Sequence, residues 1–292
     1  MDKHRKHQSS AIAKTAVVLA TGFFLLPGLQ RAARADALAY MSTGTDQFGI
    51  IDPKTGVFTE SGNSGQLLSG LGVSAGHLYG GVADTGDLYQ VNPANGALSL
   101  VGAGTINYLA TGSTTSGLYA LGGPNTAGAA LTLYSINATT GAATSIGATG
   151  LDLSTTVVDT VGISTGSGTL YLTFGPSFST STLYSVNLTT GAATSIGNTG
   201  GDGLGATLFE NGTLYGGSNT NGVSLADSVY TLNPATAAGT FVANESGGAT
   251  QFDGLAPVSP STVPEPGNLA LLLTVSVAIG AATRRFKPRG LG

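Results

Sequence analysis

The chain has 292 residues, 46 of them glycine and none cysteine, and carries a formal charge of −4 from 11 basic and 15 acidic side chains. Without cysteine it has no disulfide framework and no thiolate metal site. Ten of the bases sit in the two ends; between residues 38 and 260 Lys54 stands alone against twelve acids, a net charge near −11 that repels phosphate backbones and sets nucleic-acid binding aside.

The N-terminal stretch reads as a secretory signal peptide over residues 1–37. Lys3, Arg5, Lys6 and Lys14 form a basic head, Thr15 to Leu29 an apolar core, and Ala33-Arg34-Ala35-Asp36-Ala37 a small-x-small site. Cleavage falls after Ala35 or after Ala37. The alternative is a permanent N-terminal anchor. Export without disulfides is compatible with a body of about 220 residues, which buries a core large enough to hold itself together.

The body, residues 38–258, is built on a repeat. Leu133 to Gly150 returns at Leu183 to Gly200 with 15 of 18 positions identical. Each copy is a β-prone run, a turn of pattern Asn-x-Thr-Thr-Gly, and a second run. Asn suits the first turn position, where its side chain caps the backbone, and Gly suits the residue that must take positive φ. Asn137/Gly141 and Asn187/Gly191 define the slot. Asp52/Gly56, Asn92/Gly96 and Asn233 occupy it in weaker copies, with Pro53, Pro93 and Pro234 at the second position. The last copy lacks the glycine, and Gly239 is expected to serve instead.

The turns begin at 52, 92, 137, 187 and 233, a spacing of 40 to 50 residues. The units are rich in Gly, Thr and Ser and show no helical period, so a solenoid of paired helices does not fit. About 40–50 residues is the length of a four-stranded propeller blade. Each unit also carries an earlier strand expected to end in a Leu/Ala-Tyr pair: Ala39-Tyr40, Leu78-Tyr79, Leu118-Tyr119, Leu170-Tyr171 and Leu214-Tyr215. Phe48, Tyr89, Tyr134, Tyr184 and Tyr230 form a second aromatic series, and both read as packing between sheets. The first unit lacks an opening strand, whereas Asp253–Val258 resembles an opening strand with no unit behind it. The expected fold is therefore all-β: a propeller, five-bladed, closed by pairing Asp253–Val258 into the blade of residues 38–62.

Residues 259–267 form a linker ending in Val263-Pro264-Glu265-Pro266, and 268–292 hold an apolar run, Leu269 to Ala282, followed by Arg284, Arg285, Lys287 and Arg289. This order resembles the PEP-CTERM sorting signal of Gram-negative bacteria, over roughly a tenth of the chain. The resemblance implies an exosortase-type membrane protease that reads Pro264-Glu265-Pro266 and removes the tail, and an association with extracellular polysaccharide and biofilm matrix. Fourteen apolar residues reach about 21 Å as a helix, short of a hydrocarbon core of about 30 Å; flanking residues and snorkelling arginines bring the segment closer to a transmembrane span. Arg284 and Arg285 then act as the membrane stop on the cytoplasmic side. The protein is expected to pause in the inner membrane and then reach the cell surface or the medium.

Catalytic constellations are scarce. His77 is the body's one histidine, so a triad or a zinc site lacks its parts, and His77 reads as structural or exposed. Asp84-Thr-Gly-Asp87 could offer oxygens to Ca²⁺ but lacks the EF-hand spacing and reads as a turn. No catalytic residue, metal or cofactor is assigned. The expectation is an exported, non-enzymatic surface or matrix protein. The alternative is a polysaccharide hydrolase or lyase using carboxylates such as Asp159, Asp202 or Asp253, which would have to converge within about 5–10 Å.

Overall fold

The computed structural model describes residues 38–123, 128–153, 159–166, 168–176, 178, 180–200, 202–219 and 227–258. The expected signal peptide, the Val263–Pro266 motif, the apolar tail and Arg284/Arg285 lie outside the described residues. Within them the protein is all-β, with twenty strands and no helix.

The strands form five antiparallel meanders of four. The first combines β1 (Ala39–Thr43), β2 (Gln47–Asp52) and β3 (Val57–Asn63) with the last strand of the chain, β20 (Phe252–Pro257), in the order β20-β1-β2-β3. The second is β4 (Leu68–Ser74), β5 (His77–Val82), β6 (Leu88–Val91) and β7 (Leu98–Gly102). The third is β8 (Tyr108–Thr114), β9 (Gly117–Gly122), β10 (Ala130–Ile136) and β11 (Ala143–Asp152). The fourth is β12 (Asp159–Gly166), β13 (Leu170–Pro176), β14 (Thr182–Val186) and β15 (Ala193–Asn198). The fifth is β16 (Leu204–Glu210), β17 (Thr213–Ser218), β18 (Ser228–Leu232) and β19 (Gly239–Asn244). The Leu/Ala-Tyr pairs fall at or near the start of the second strand of each meander, not at its end, because the residues that follow them continue the pairing. The expected partnership of the C-terminal strand with the N-terminal unit is present: Met41 pairs Leu255 and Ala39 pairs Pro257.

Apolar side chains alternate along these strands and bury themselves between successive meanders. Five core clusters result. Phe48 and Ala256 meet Leu68, Leu71 and Leu78 between the first two meanders. Leu88 and Tyr79 meet Tyr108 and Leu118 between the next two. Leu121 and Leu133 meet Ile163, Leu170 and Leu172. Leu183 meets Leu204, Leu214 and Leu232. The fifth cluster joins the fifth meander to the first, through Leu208, Tyr215 and Val229 against Met41, Ile51 and Phe58.

The first strands approach one another at glycine. β4 and β8 pair in parallel at Gly70 and Thr111, β8 and β12 at Ser113 and Thr165, β12 and β16 at Ser164 and Thr207. A methyl group on Gly112 would lie 2.8 Å from Ser164 O, one on Gly162 2.9 Å from Gly205 O, and one on Gly254 of β20 2.8 Å from Leu71 N of β4. Backbones this close leave no room for a Cβ, which is why glycine stands there.

The repeat turns form as expected. The N–H of Gly56, Gly96, Gly141 and Gly191 donates to the carbonyl of Asp52, Asn92, Asn137 and Asn187 at 2.7–2.8 Å. The first residue's Oδ1 accepts from the N–H two positions on, for example Thr139 N to Asn137 Oδ1 at 2.9 Å. All four glycines have φ between 72° and 80°. The fifth turn corrects the expectation that Gly239 would serve. Ala237 itself takes φ 66° and donates to Asn233 O at 2.7 Å, and its fully buried methyl packs with Leu204, Leu214 and Leu232. Burial of that methyl offsets a left-handed backbone that costs about 1–2 kcal/mol for an L-residue.

Each turn also docks on the outer strand of the meander before it. That strand is bulged, with the register shift opposite Phe48/Gly49, Leu88/Tyr89, Leu133/Tyr134, Leu183/Tyr184 and Val229/Tyr230. Gly62, Gly102, Gly147 and Gly197 lie at the shifts and face Asn95, Thr140, Thr190 and Thr236 of the following turn. Gly56, in the first turn, faces Asn244 of the fifth meander in the same way.

Candidate functional site

The meanders have two unlike ends. At one end the loop after the second strand bonds to the loop that leads to the next meander: Ser64 N to Asp46 O, Thr105 N to Gly86 O, Gly128 N to Leu153 O, Thr199 N to Ser181 O, and Glu245 N to Asp227 O. Nine of the body's twelve acids occupy this end: Asp46, Asp84, Asp87, Asp152, Asp159, Asp202, Asp227, Glu245 and Asp253. The other end holds the five repeat turns and the hairpins that join first to second strands, with Asp52, Lys54, His77 and Glu210. The segregation was legible in principle, since the acids cluster in alternate loops, but only the strand pairing shows which loops share an end.

At the acidic end the carboxylates are largely committed to the fold. Asp87 Oδ1 accepts from Gly104 N at 2.9 Å and Oδ2 from Tyr89 Oη at 3.2 Å. A hydrogen bond from Thr85 is the largest influence holding the Asp87 carboxyl below its usual range, and those from Gly104 and Tyr89 add to it. The Asp84–Asp87 stretch is thus a turn closed by Gly86 N on Val82 O, with Asp87 tied to Thr85, Tyr89 and Gly104. Asp202 Oδ2 accepts from Tyr230 Oη at 2.8 Å; burial first, and this bond second, push the tyrosine up to about 12. Among the described residues no group of three or more His, Cys, Asp or Glu is arranged to hold a metal ion.

Asp253 is the most perturbed acid. It is the second residue of β20, accepts from Asn219 Nδ2 at 2.8 Å, and burial pushes it up to about 7, with the nearby Asp227 carboxylate acting in the same direction. Asp227 is itself buried and accepts from Gln251 N. Glu245 accepts from Ala249 N at 3.1 Å and is also raised, by burial first. Of the carboxylates the sequence singled out for hydrolysis, Asp202 is therefore engaged by Tyr230 and Asp253 by Asn219, each in its own structural bond, while Asp159 is the first residue of β12.

The opposite end contains a concavity of about 620 Å³. It is bordered by the hairpins at Ala75-Gly76, Thr115-Ser116 and Asn211-Gly212 and by Pro257. Ala75 and Asn211 have φ 49° and 51°, followed by Gly76 and Gly212 at 78° and 81°, the paired positive angles of tight two-residue hairpins. Glu210 lines the concavity and is raised above its usual range by burial. Phe209 beside it stacks on Tyr171 with ring centroids 6.3 Å apart. Nothing in the sequence marked this site, because its walls come from turns more than 30 residues apart. His77, the first residue of β5, is exposed, with Nδ1 2.9 Å from Gln90 Nε2.

No family model matches the chain, and no curated protein matches it. Among solved structures, the computationally designed Ika4 protein is similar over 57% of this chain and 92% of its own, at 12% identity and a TM-score of 0.34, too distant to inform the fold or the function.

Proposed function

We propose that the chain is an exported, non-enzymatic surface or matrix protein whose body is a five-bladed β-propeller, delivered through a C-terminal sorting signal of the PEP-CTERM kind. The propeller reading is supported by the five equivalent meanders, the five inter-meander cores and the place of β20 beside β1. The observation that carries the delivery reading is the sequence of the tail that follows Val258, whose N–H donates to Leu38 O at 3.1 Å where the two ends of the body meet. That tail has the order Pro264-Glu265-Pro266, apolar run, Arg284-Arg285. Proline disfavours a helix at and before its own position, which would suit a segment that a protease reads, and Glu265 is the one charge of that motif. The partner is an exosortase-type membrane protease, the inner membrane is a temporary station, and extracellular polysaccharide is the partner of the released body.

The structural bonds that hold Asp202 and Asp253 support binding or packing, and the alternative of a hydrolase would need Asp253 and its neighbour Asp227 to face one glycosidic bond. The test is the mass of the C-terminus in membrane and medium fractions. Glu265→Ala should accumulate in the membrane with residues up to Gly292 still attached. Normal processing of that variant, or a secreted native chain ending at Gly292, would refute the sorting reading.

A further inference from the structure

We infer that the concavity at the turn end is a binding site for a neutral saccharide, an inference that rests on the binding role proposed above and locates it. Its volume, about 620 Å³, falls within the roughly 300–1,000 Å³ of small-molecule sites. Its walls are of two kinds. Val73 and Phe209 supply apolar surface, whereas Ser74, Ser116 and Asn211 supply hydroxyl and amide groups. Among the described residues, those three side chains make no hydrogen bond, so they are available to a ligand. A sugar ring presents C–H faces and hydroxyl edges, and this combination of surfaces meets both.

Charge narrows the class further. The described lining contains no base to pair with an anion and one acid, Glu210, while most of the body's other acids sit at the opposite end. Uronates, sulfated sugars and phosphates are repelled. A carboxylate can instead accept from ligand hydroxyls, the stronger charge-assisted kind of hydrogen bond. The site is also preorganised. Ser113 Oγ accepts from Val73 N at 2.9 Å and Thr114 Oγ1 from Ser116 N at 3.1 Å, which hold the rim to the first strands.

The chain has no tryptophan, so a single indole reports on one place. Phe209→Trp puts it in the concavity, and Thr115→Trp does so on an exposed turn should the first variant not fold. Phe241→Trp puts it on the outer strand β19, where Phe241 is 54% exposed. The purified full chain is screened on a glycan array, and its emission is titrated with neutral gluco-, galacto- and manno-oligosaccharides, with oligogalacturonate, and with putrescine. Saturable responses to a neutral sugar are expected from the concavity reporters only, and Asn211→Ala should weaken them about fivefold to tenfold, the worth of one hydrogen bond. Equal responses from Phe241→Trp, or responses confined to oligogalacturonate or to putrescine, would overturn the inference. An array that binds neutral glycans while the concavity reporters stay silent overturns the site but leaves the binding role standing. An array that binds nothing overturns both.

Discussion

A methyl group on Gly141 would meet two separate obstacles, and substitutions can weigh each. Its φ of 74° costs an L-residue about 1–2 kcal/mol. The methyl would also lie 2.6 Å from the Cα of Gly102 on the preceding meander, so the turn could no longer seat on that bulge. Forcing a methyl into such a contact adds about 1–3 kcal/mol. Gly76 has φ 78° and no atom within 4 Å of the same methyl, so it carries the conformational cost alone. Gly102 is the converse: no positive φ, but a methyl 2.6 Å from Thr140 O. With about 2–4 °C per kcal/mol for a domain of roughly 220 residues, Gly141→Ala should melt about 6 °C below Gly76→Ala. Gly102→Ala carries the contact cost without the conformational one, so it should be destabilised despite its ordinary backbone and melt about 5 °C above Gly141→Ala. Because Gly102 and Gly141 share one contact, the double variant should lose less than the sum of the singles. Circular-dichroism melts with urea titrations measure all four. Equal shifts for Gly76→Ala and Gly141→Ala, or strict additivity of the pair, would refute the docking argument.

Two further outcomes follow from the geometry. Ala75 holds φ 49° in an exposed two-residue hairpin where the equivalent position in the fifth meander is Asn211, so Ala75→Asn should stabilise the chain by about 0.5–1 kcal/mol, read as a higher urea midpoint at unchanged slope. Asp253, at about 7 in the folded state against about 3.9 unfolded, binds its proton more tightly when folded; stability is fully present below pH 4 or so and declines as the pH rises through about 7, then levels. Melts across that window should show the decline in the native chain and a flatter profile in Asp253→Asn, and an unchanged slope in the variant would assign the pH dependence elsewhere.

The repeat turns could be read from sequence because every group they need lies within five residues. Asn137 accepts through its side chain from Thr139 and through its backbone from Gly141, and both partners are local. The strand–turn rhythm follows from the same short range, and the orphan strand at 253–258 could be placed because its missing complement was visible at the other end. Ala237 marks the limit of that reasoning. Local chemistry asks for glycine, and the buried position against Leu204, Leu214 and Leu232 decides for alanine. The glycines at 62, 102, 147 and 197 are silent in the sequence, since the backbone that excludes a side chain there belongs to the next meander. The concavity beside Phe209, Glu210 and Asn211 is silent for the same reason, and the acids of alternate loops become one acidic end only through the strand pairing. Hydrogen bonds within a turn are set by neighbours along the chain, whereas close packing and the summing of charge depend on which segments share an end, and only the tertiary structure brings those together.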